Sequence, residues 1–277
     1  MLTFPNAKIN IGLNITEKRP DGYHTIETVF YPIGLCDVLE IAPSTSCTDY
    51  SFSSSGIAIG GDPENNLIIK ALRLLCIDYV IPPVDISLIK NIPFGAGLGG
   101  GSSDAAFMLK ALNELFELKL SVEKLEAYAL KLGADCPVFI QNKAVFATGI
   151  GHIFSDVQVS LDGYFLVLIK PDMHVSTPEA YAKVVPQKPE FDLRESIQLP
   201  VSEWKNRIKN DFEPSVFARF PAIAHLKEKL YDAGACYASL SGSGSSVYGL
   251  FTHEPQNIGR FENCFVTGGL LKNPAIN

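Results

Sequence analysis

The chain has 277 residues, 47% of them hydrophobic and 19% charged, with a formal charge of −7. That composition suits a globular protein of one large or two ordinary domains, and the acidic balance argues against nucleic acid or anionic membrane as partners. No apolar run reaches membrane-spanning length, and Met1-Leu2-Thr3-Phe4-Pro5 lacks the charged and apolar regions of a signal peptide. Six cysteines (Cys36, Cys47, Cys76, Cys136, Cys236, Cys264) form no Cys-x-x-Cys pair, so reduced thiols in a cytoplasm are expected.

In chain order, residues 6–15 alternate. Ala7, Ile9, Ile11, Leu13 and Ile15 share one face of a strand, with Lys8, Asn10, Gly12 and Asn14 on the other. The polar face is either solvated at a sheet edge or functional. Arg19-Pro20-Asp21-Gly22 reads as a turn delivering Tyr23 and His24. Strands follow at Thr25–Val29 and Val38–Ile41, turning at Gly34 and Asp37. A helix after Glu64-Asn65-Asn66 extends to about Tyr79, and Val84–Ile89 alternates as a strand.

That strand runs into Pro93-Phe94-Gly95-Ala96-Gly97-Leu98-Gly99-Gly100-Gly101-Ser102-Ser103-Asp104. Glycines permit positive φ and close approach, and a glycine loop feeding a helix start offers backbone N–H groups and the positive dipole end to an anion. The following helix, about 103–115, is expected to be capped by Ser102 or Ser103. A second, about 122–132, starts at Ser121 and closes at Gly133. Asp135 then sits among small and apolar neighbours. It either caps the helix after Pro137 or needs a donor, a cation or a task.

Past a soft boundary near 150, Tyr164–Lys170 reads as a buried strand and Thr177-Pro178-Glu179 as the start of a short helix carrying Tyr181. Proline-punctuated residues 186–200 suggest a surface excursion. Asn210-Asp211-Phe212-Glu213 precedes helices near 215–219 and 221–232. Ser241-Gly242-Ser243-Gly244-Ser245-Ser246 separates two short strands, Tyr237–Leu240 and Val247–Phe251.

The glycine loop is not a Walker A loop, since no lysine follows its glycines. Gly95, Gly97 and Gly100 fit G-x-G-x-x-G, but Glu114 and Glu117 lie in or at the end of a helix, where a dinucleotide fold needs an acid at a strand end. Protein-kinase signatures are missing as well.

Residues 93–103, with Ala7-Lys8-Ile9-Asn10 and Ser241-Gly242-Ser243-Gly244-Ser245, resemble the three motifs of the GHMP kinase family. The resemblance covers about residues 5–250. It implies an α+β fold of two domains, 1–150 binding ATP and 151–277 contributing to the substrate site, with the active site in a cleft between them. Leu132-Gly133-Ala134-Asp135 and Asn210-Asp211-Phe212-Glu213, with Arg19 to His24, resemble the branch acting on a cytidine-diphosphate ester of methylerythritol in non-mevalonate isoprenoid synthesis. The implied reaction moves the γ-phosphoryl of ATP to the tertiary 2-hydroxyl.

By the same resemblance, Asp135 accepts or orients the hydroxyl proton, and Lys8 orients Asp135 and stabilises developing charge. Pro93, Phe94, Gly95, Ala96, Gly97, Leu98, Gly99, Gly100, Gly101, Ser102 and Ser103 hold ATP phosphates together with Mg²⁺, with no protein ligand assigned to the metal. Asn65 and Lys90 lie near the adenine, although Lys90 read alone could equally be solvated. Tyr23 and Tyr181 stack on the cytosine, His24 reads its edge, and Asn10 and Thr177 complete the substrate wall. A monomer or weak homodimer in the cytoplasm is the implied state. The chain departs from the family pattern at Gly151-His152, where glutamate is usual in place of the histidine, and at Phe212, where leucine is usual.

Overall fold

A computed structural model of the chain describes residues 1–45, 48–256 and 261–272. Cys47 therefore lies outside the described residues, and the five described cysteines are all free thiols. Strands β1 (Leu2–Thr3), β2 (Asn6–Lys18), β3 (His24–Cys36), β4 (Val38–Pro43) and β5 (Tyr50–Gly56) lead to helix α1 (Leu67–Cys76) and strand β6 (Val84–Lys90). Helices α2 (Gly100–Leu115), α3 (Val122–Leu132) and α4 (Val138–Gln141) come next, then β7 (Val145–Thr148), β8 (Ile153–Asp156) and β9 (Phe165–Pro171). The remainder is α5 (Thr177–Ala182), α6 (Leu193–Ser196), α7 (Glu213–Arg219), α8 (Pro221–Asp232), β10 (Tyr237–Leu240), β11 (Val247–Phe251) and β12 (Cys264–Leu270).

Two compact units result, and neither is continuous in sequence. The first holds Met1–Ala7, Gly34–Phe94 and Gly99–Asn142; the second holds Lys8–Ile33, Gly95–Leu98 and Lys143–Asn277. Chain order alone suggests one boundary near 150. Contacts group the early strands β2 and β3 largely with the later half.

The first unit carries the sheet β1-β4-β6-β5, antiparallel except for the β5–β6 pair. Helices α1, α2 and α3 pack through Ile68, Leu72, Met108, Leu109, Leu112 and Leu125, all buried. Asn66 caps α1 by accepting from Ile68 N, and Ser121 caps α3 through Lys124 N, as their sequence positions suggest. Gly133 ends α3 in extended backbone rather than a left-handed turn.

The second unit holds the antiparallel sheet β10-β11-β9-β12 and most of the sheet β2-β3-β7-β8. Its core gathers Leu13, Ile15 and Ile26 with Val167, Ile169, Phe212, Leu230, Leu240 and Val247. Residues 186–200 are more than a surface excursion. Asp192 caps the short helix α6, whose Leu193 and Ser196 are buried, and a Cβ on Gly12 would come within 2.7 Å of Leu193.

The Asn210-Asp211-Phe212-Glu213 motif acts as a hydrogen-bond clamp within this unit. Asn210 Nδ2 donates to the carbonyls of Leu240 and Gly242, both at 2.9 Å, and Asp211 accepts from Ile15 N at 2.7 Å. Glu213 accepts from Leu240 N at 3.0 Å and from the Lys227 ammonium. The Ser241–Ser246 loop is thereby held at its root by side chains from the α7 entrance.

Candidate active site

In the first unit the start of α2 is built without a side-chain cap. Gly99, at φ 71°, occupies the N-cap position, so neither Ser102 nor Ser103 caps the helix. A Cβ on Gly100 would come within 2.8 Å of Ile92, so the loop packs too tightly there for any larger residue. The helix start therefore keeps its donors and the positive end of its dipole for an anion. Ser103 Oγ, fully buried in that first turn, has no hydrogen-bond partner among the described residues.

Behind this turn lies a buried charge cluster. Strand β6 turns Val84, Ile86, Leu88 and Lys90 inward. The Lys90 ammonium donates to Asp37 and, at 2.6 Å, to Asp104 Oδ2. Asp37 also accepts from Asn91 N at 2.6 Å and Ile92 N at 2.8 Å, which anchors the strand's exit toward the glycine loop. Burial pushes the Asp104 carboxyl up to about 7, opposed by the Lys90 charge and reinforced by Asp37. The Lys90 side chain, 1% exposed, is not solvated; its ammonium pairs with Asp37 and Asp104.

Asp135 also belongs to this unit, in the turn between α3 and α4, and is partly exposed. It does not cap α4, whose N-cap is Pro137 with no side-chain bond. The next residue, Cys136, is fully buried, and burial pushes its thiol up to about 12, against a Ser102 hydrogen bond that lowers it. Asn65 is exposed in the turn that precedes α1, and Phe94 is half exposed with the Lys90 ammonium 5.3 Å from its ring centre.

In the second unit the polar face of β2 is buried as completely as its apolar face. Lys8 is 3% exposed and Asn10 2%. The Lys8 ammonium donates to Asn10 Oδ1 at 2.7 Å and to the Gly97 carbonyl at 3.1 Å, and lies 5.1 Å from the Phe30 ring centre. Gly97 O also accepts from Ser241 Oγ at 2.9 Å. Ser245 N and Ser246 N donate to the carbonyls of Gly95 and Ala96, while Lys8 N donates to Leu98 O. Residues 95–98 are thus clasped between β2 and the serine-glycine loop. Gly97, at φ 72°, has no alternative, because a Cβ there would fall 1.9 Å from the Ser241 carbonyl oxygen.

A separate aromatic group lies in the same unit. His24 stacks on Tyr181 at 4.8 Å and 20°, and Phe212 meets the Tyr181 ring edge-on at 4.8 Å. Burial, helped by the charge of Lys18, holds the His24 imidazole below its usual range. Thr177 Oγ1 is 3.1 Å from Ser243 Oγ at the start of α5. Tyr23 is 60% exposed and its backbone N donates to Asp21 Oδ1 at 3.0 Å.

Family models for the "GHMP kinases N terminal domain" and "GHMP kinases C terminal" match residues 66–143 and 195–261. A curated relative from Bacteroides fragilis, named 4-diphosphocytidyl-2-C-methyl-D-erythritol kinase, is 60% identical over 92% of this chain and 93% of its own. The chain belongs to the GHMP kinase family. A relative of the same name from Parabacteroides distasonis is 56% identical over 98% of this chain and all of its own. A crystal structure of a 4-(cytidine 5'-diphospho)-2C-methyl-D-erythritol kinase superposes with a TM-score of 0.78 at 32% identity, covering 90% of each chain. A homoserine kinase from Cytophaga hutchinsonii shares the fold, with a TM-score of 0.70 at 19% identity over 97% of this chain and 94% of its own.

In this GHMP kinase the expected residues are thus placed within their own units. Lys90 is buried in its ion pairs with Asp37 and Asp104. Asn10 is buried and bonds to Lys8 and to Thr28, which accepts from Asn10 Nδ2 at 3.0 Å. His152, the departure from the family pattern, accepts from Ile150 N at 3.3 Å and so closes its own turn.

Asp37, Asp104 and Thr28 build the site without having stood out in the sequence. For the charge cluster a signal existed. Lys90 continues the i, i+2 phase of Val84, Ile86 and Leu88, and Asp104 stands four residues before Met108 on the buried side of α2.

Proposed function

We propose that this chain is a 4-diphosphocytidyl-2-C-methyl-D-erythritol kinase. It transfers the γ-phosphoryl of ATP to the 2-hydroxyl of 4-diphosphocytidyl-2-C-methyl-D-erythritol, a step in non-mevalonate isoprenoid precursor synthesis. The 60% identity to the Bacteroides fragilis kinase across 92% of the chain carries this reading.

These groups suit phosphoryl transfer, which depends on positioning and charge neutralisation. The uncapped α2 start and the clasped glycine loop hold the β and γ phosphates through backbone N–H groups. Asp135 takes the proton of the acceptor hydroxyl, and Lys8 neutralises charge as it builds. The stacked His24 and Tyr181 rings, with Phe212 edge-on to Tyr181, offer aromatic surface for a cytosine, with exposed Tyr23 as a further ring and Thr177 on the substrate wall.

Among the described residues no cluster of three His, Cys, Asp or Glu side chains is placed to hold a metal. Mg²⁺ fits as a companion of the nucleotide phosphates, and the buried Ser103 hydroxyl at the α2 start, without a hydrogen-bond partner among the described residues, is an oxygen that could serve it. When bound, it would neutralise phosphate charge. No helix among the described residues is long and apolar enough to cross a membrane, and we place the activity in the cytoplasm, as a monomer or weak homodimer.

The test is direct. Purified protein with ATP and Mg²⁺ is expected to release ADP only when the cytidylylated methylerythritol is added. Equal or better turnover with homoserine or mevalonate would sink the assignment.

A further inference from the structure

Thr28 lies wholly inside the second unit, 0% exposed, on β3 beside β2. Its hydroxyl donates to the Gly12 carbonyl at 2.5 Å. A hydroxyl has one proton, so toward Asn10 the Thr28 oxygen can only accept. The group it meets there, at 3.0 Å, must then be the Asn10 NH₂. That fixes the side-chain amide, and its carbonyl oxygen is the end turned to the Lys8 ammonium at 2.7 Å. A flipped amide would set an N–H against an ammonium and leave Thr28 facing an acceptor with no proton to give.

We propose that Thr28 is a positioning residue for phosphoryl transfer: through the Asn10 amide it holds the Lys8 ammonium in its working place. The chain Gly12 carbonyl, Thr28 hydroxyl, Asn10 amide, Lys8 ammonium has one consistent donor direction, set at the buried end by a backbone carbonyl that cannot reorient. The Gly97 carbonyl, itself held by Ser241, is the second acceptor on Lys8. Such a relay matters because a catalytic group displaced by about 1 Å can lose roughly 100-fold in rate. This inference rests on the kinase reading above for the role of Lys8, while the direction of the relay rests on geometry alone.

The test compares Thr28→Val, which keeps shape and removes the hydroxyl, with Thr28→Ser, which keeps the hydroxyl. Thr28→Val is expected to lower kcat by about 10- to 100-fold, with KM for ATP and for the acceptor within about threefold of wild type. Thr28→Ser is expected to restore most of the rate. In an Asn10→Ala background, Thr28→Val should cost little more, since both act through one amide. Unchanged kcat in Thr28→Val, a Thr28→Ser variant equally impaired, or fully additive losses would overturn the proposal. If the valine variant folds poorly, Thr28→Ala replaces it with the same expected results.

The amide's orientation is also read without turnover. The Asn10 side-chain amide protons are expected to exchange slowly in the wild type and at least about tenfold faster in Thr28→Val. Equal exchange rates would overturn the relay even if the wild-type chain proved inactive on the expected acceptor, an outcome that would count against the kinase reading alone.

Discussion

Replacing Lys90 by methionine tests the charge cluster beneath the glycine loop. The Lys90, Asp37 and Asp104 side chains are 1%, 0% and 5% exposed, so no water stands ready to take over from the ammonium. Asp37 would keep its two backbone donors from Asn91 and Ile92. Asp104 would lose the donor to its Oδ2, and its Oδ1 already has no hydrogen-bond partner among the described residues. Breaking a buried pair from one side typically costs about 3–5 kcal/mol. At about 2–4 °C per kcal/mol for a chain of this size, Lys90→Met should lower Tm by roughly 6–20 °C.

Asp104→Asn should behave oppositely, because it leaves one carboxylate facing one ammonium. The Asp104 carboxyl titrates near 3.8 when unfolded and about 7 when folded, so the native state holds the proton more tightly. Its contribution to stability is complete below about pH 4 and is lost as pH rises through 7. The Tm of Asp104→Asn relative to wild type should therefore climb from pH 4 to about 7 and then level. Thermal unfolding followed by near-ultraviolet circular dichroism at pH 5, 6, 7 and 8 reads all three proteins. A Lys90→Met variant within 2 °C of wild type, or an Asp104→Asn variant as damaged as Lys90→Met, would refute the reasoning.

Asp135→Asn is expected to lose at least about 100-fold in kcat with ATP affinity nearly intact, measured by steady-state kinetics and calorimetric nucleotide titration; unchanged turnover would reject the assigned role. Gly97→Ala should abolish measurable turnover, since its Cβ would overlap the Ser241 carbonyl oxygen, and wild-type-like kinetics would contradict the clasp. Tyr181→Ala should raise KM for the cytidylylated acceptor by about 10-fold, the scale of one base–aromatic stack, while Tyr181→Phe stays near wild type. Cys136, buried and with its thiol held up at about 12, should resist alkylation at pH 8 in the native protein and react on unfolding, as followed by mass spectrometry.

Elements with strong periodicity or unmistakable punctuation were legible from residues alone. The β2 strand, the Asn66 and Ser121 caps, the α8 stop before Gly234 and the two short strands around the serine-glycine loop all match the structure, although burial along β2 does not alternate. What failed were inferences about environment. A lysine after an alternating strand looks solvated until two acids distant in sequence arrive beside it, and Asp37 and Asp104 lie 53 and 14 residues from Lys90. Ser102 and Ser103 look like helix caps because serine usually caps, yet the left-handed Gly99 takes that position first. Residues 186–200 read as surface because of their prolines, and most are at least partly exposed, but Asp192 also starts a helix that buries Leu193 against Gly12.

The roles proposed for Lys8, Asp135 and the aromatic rings came through the family resemblance; the sequence by itself determined the strands, the helix starts and a glycine loop suited to an anion. It could do so because these depend on residue type and short spacing, which local backbone preferences translate directly into turns, strands and helix starts. Only the tertiary structure decided what each polar group spends its bonds on. Lys8 is tied to Asn10 and Gly97, Asn10 to Thr28, Gly97 to Ser241, and Lys90 to Asp37 and Asp104. Apart from Lys8 and Asn10, two residues apart on one strand, those pairings join residues separated by 14 to 144 positions. Their strength comes from exclusion of water, a property of the packed interior that no local stretch of sequence carries.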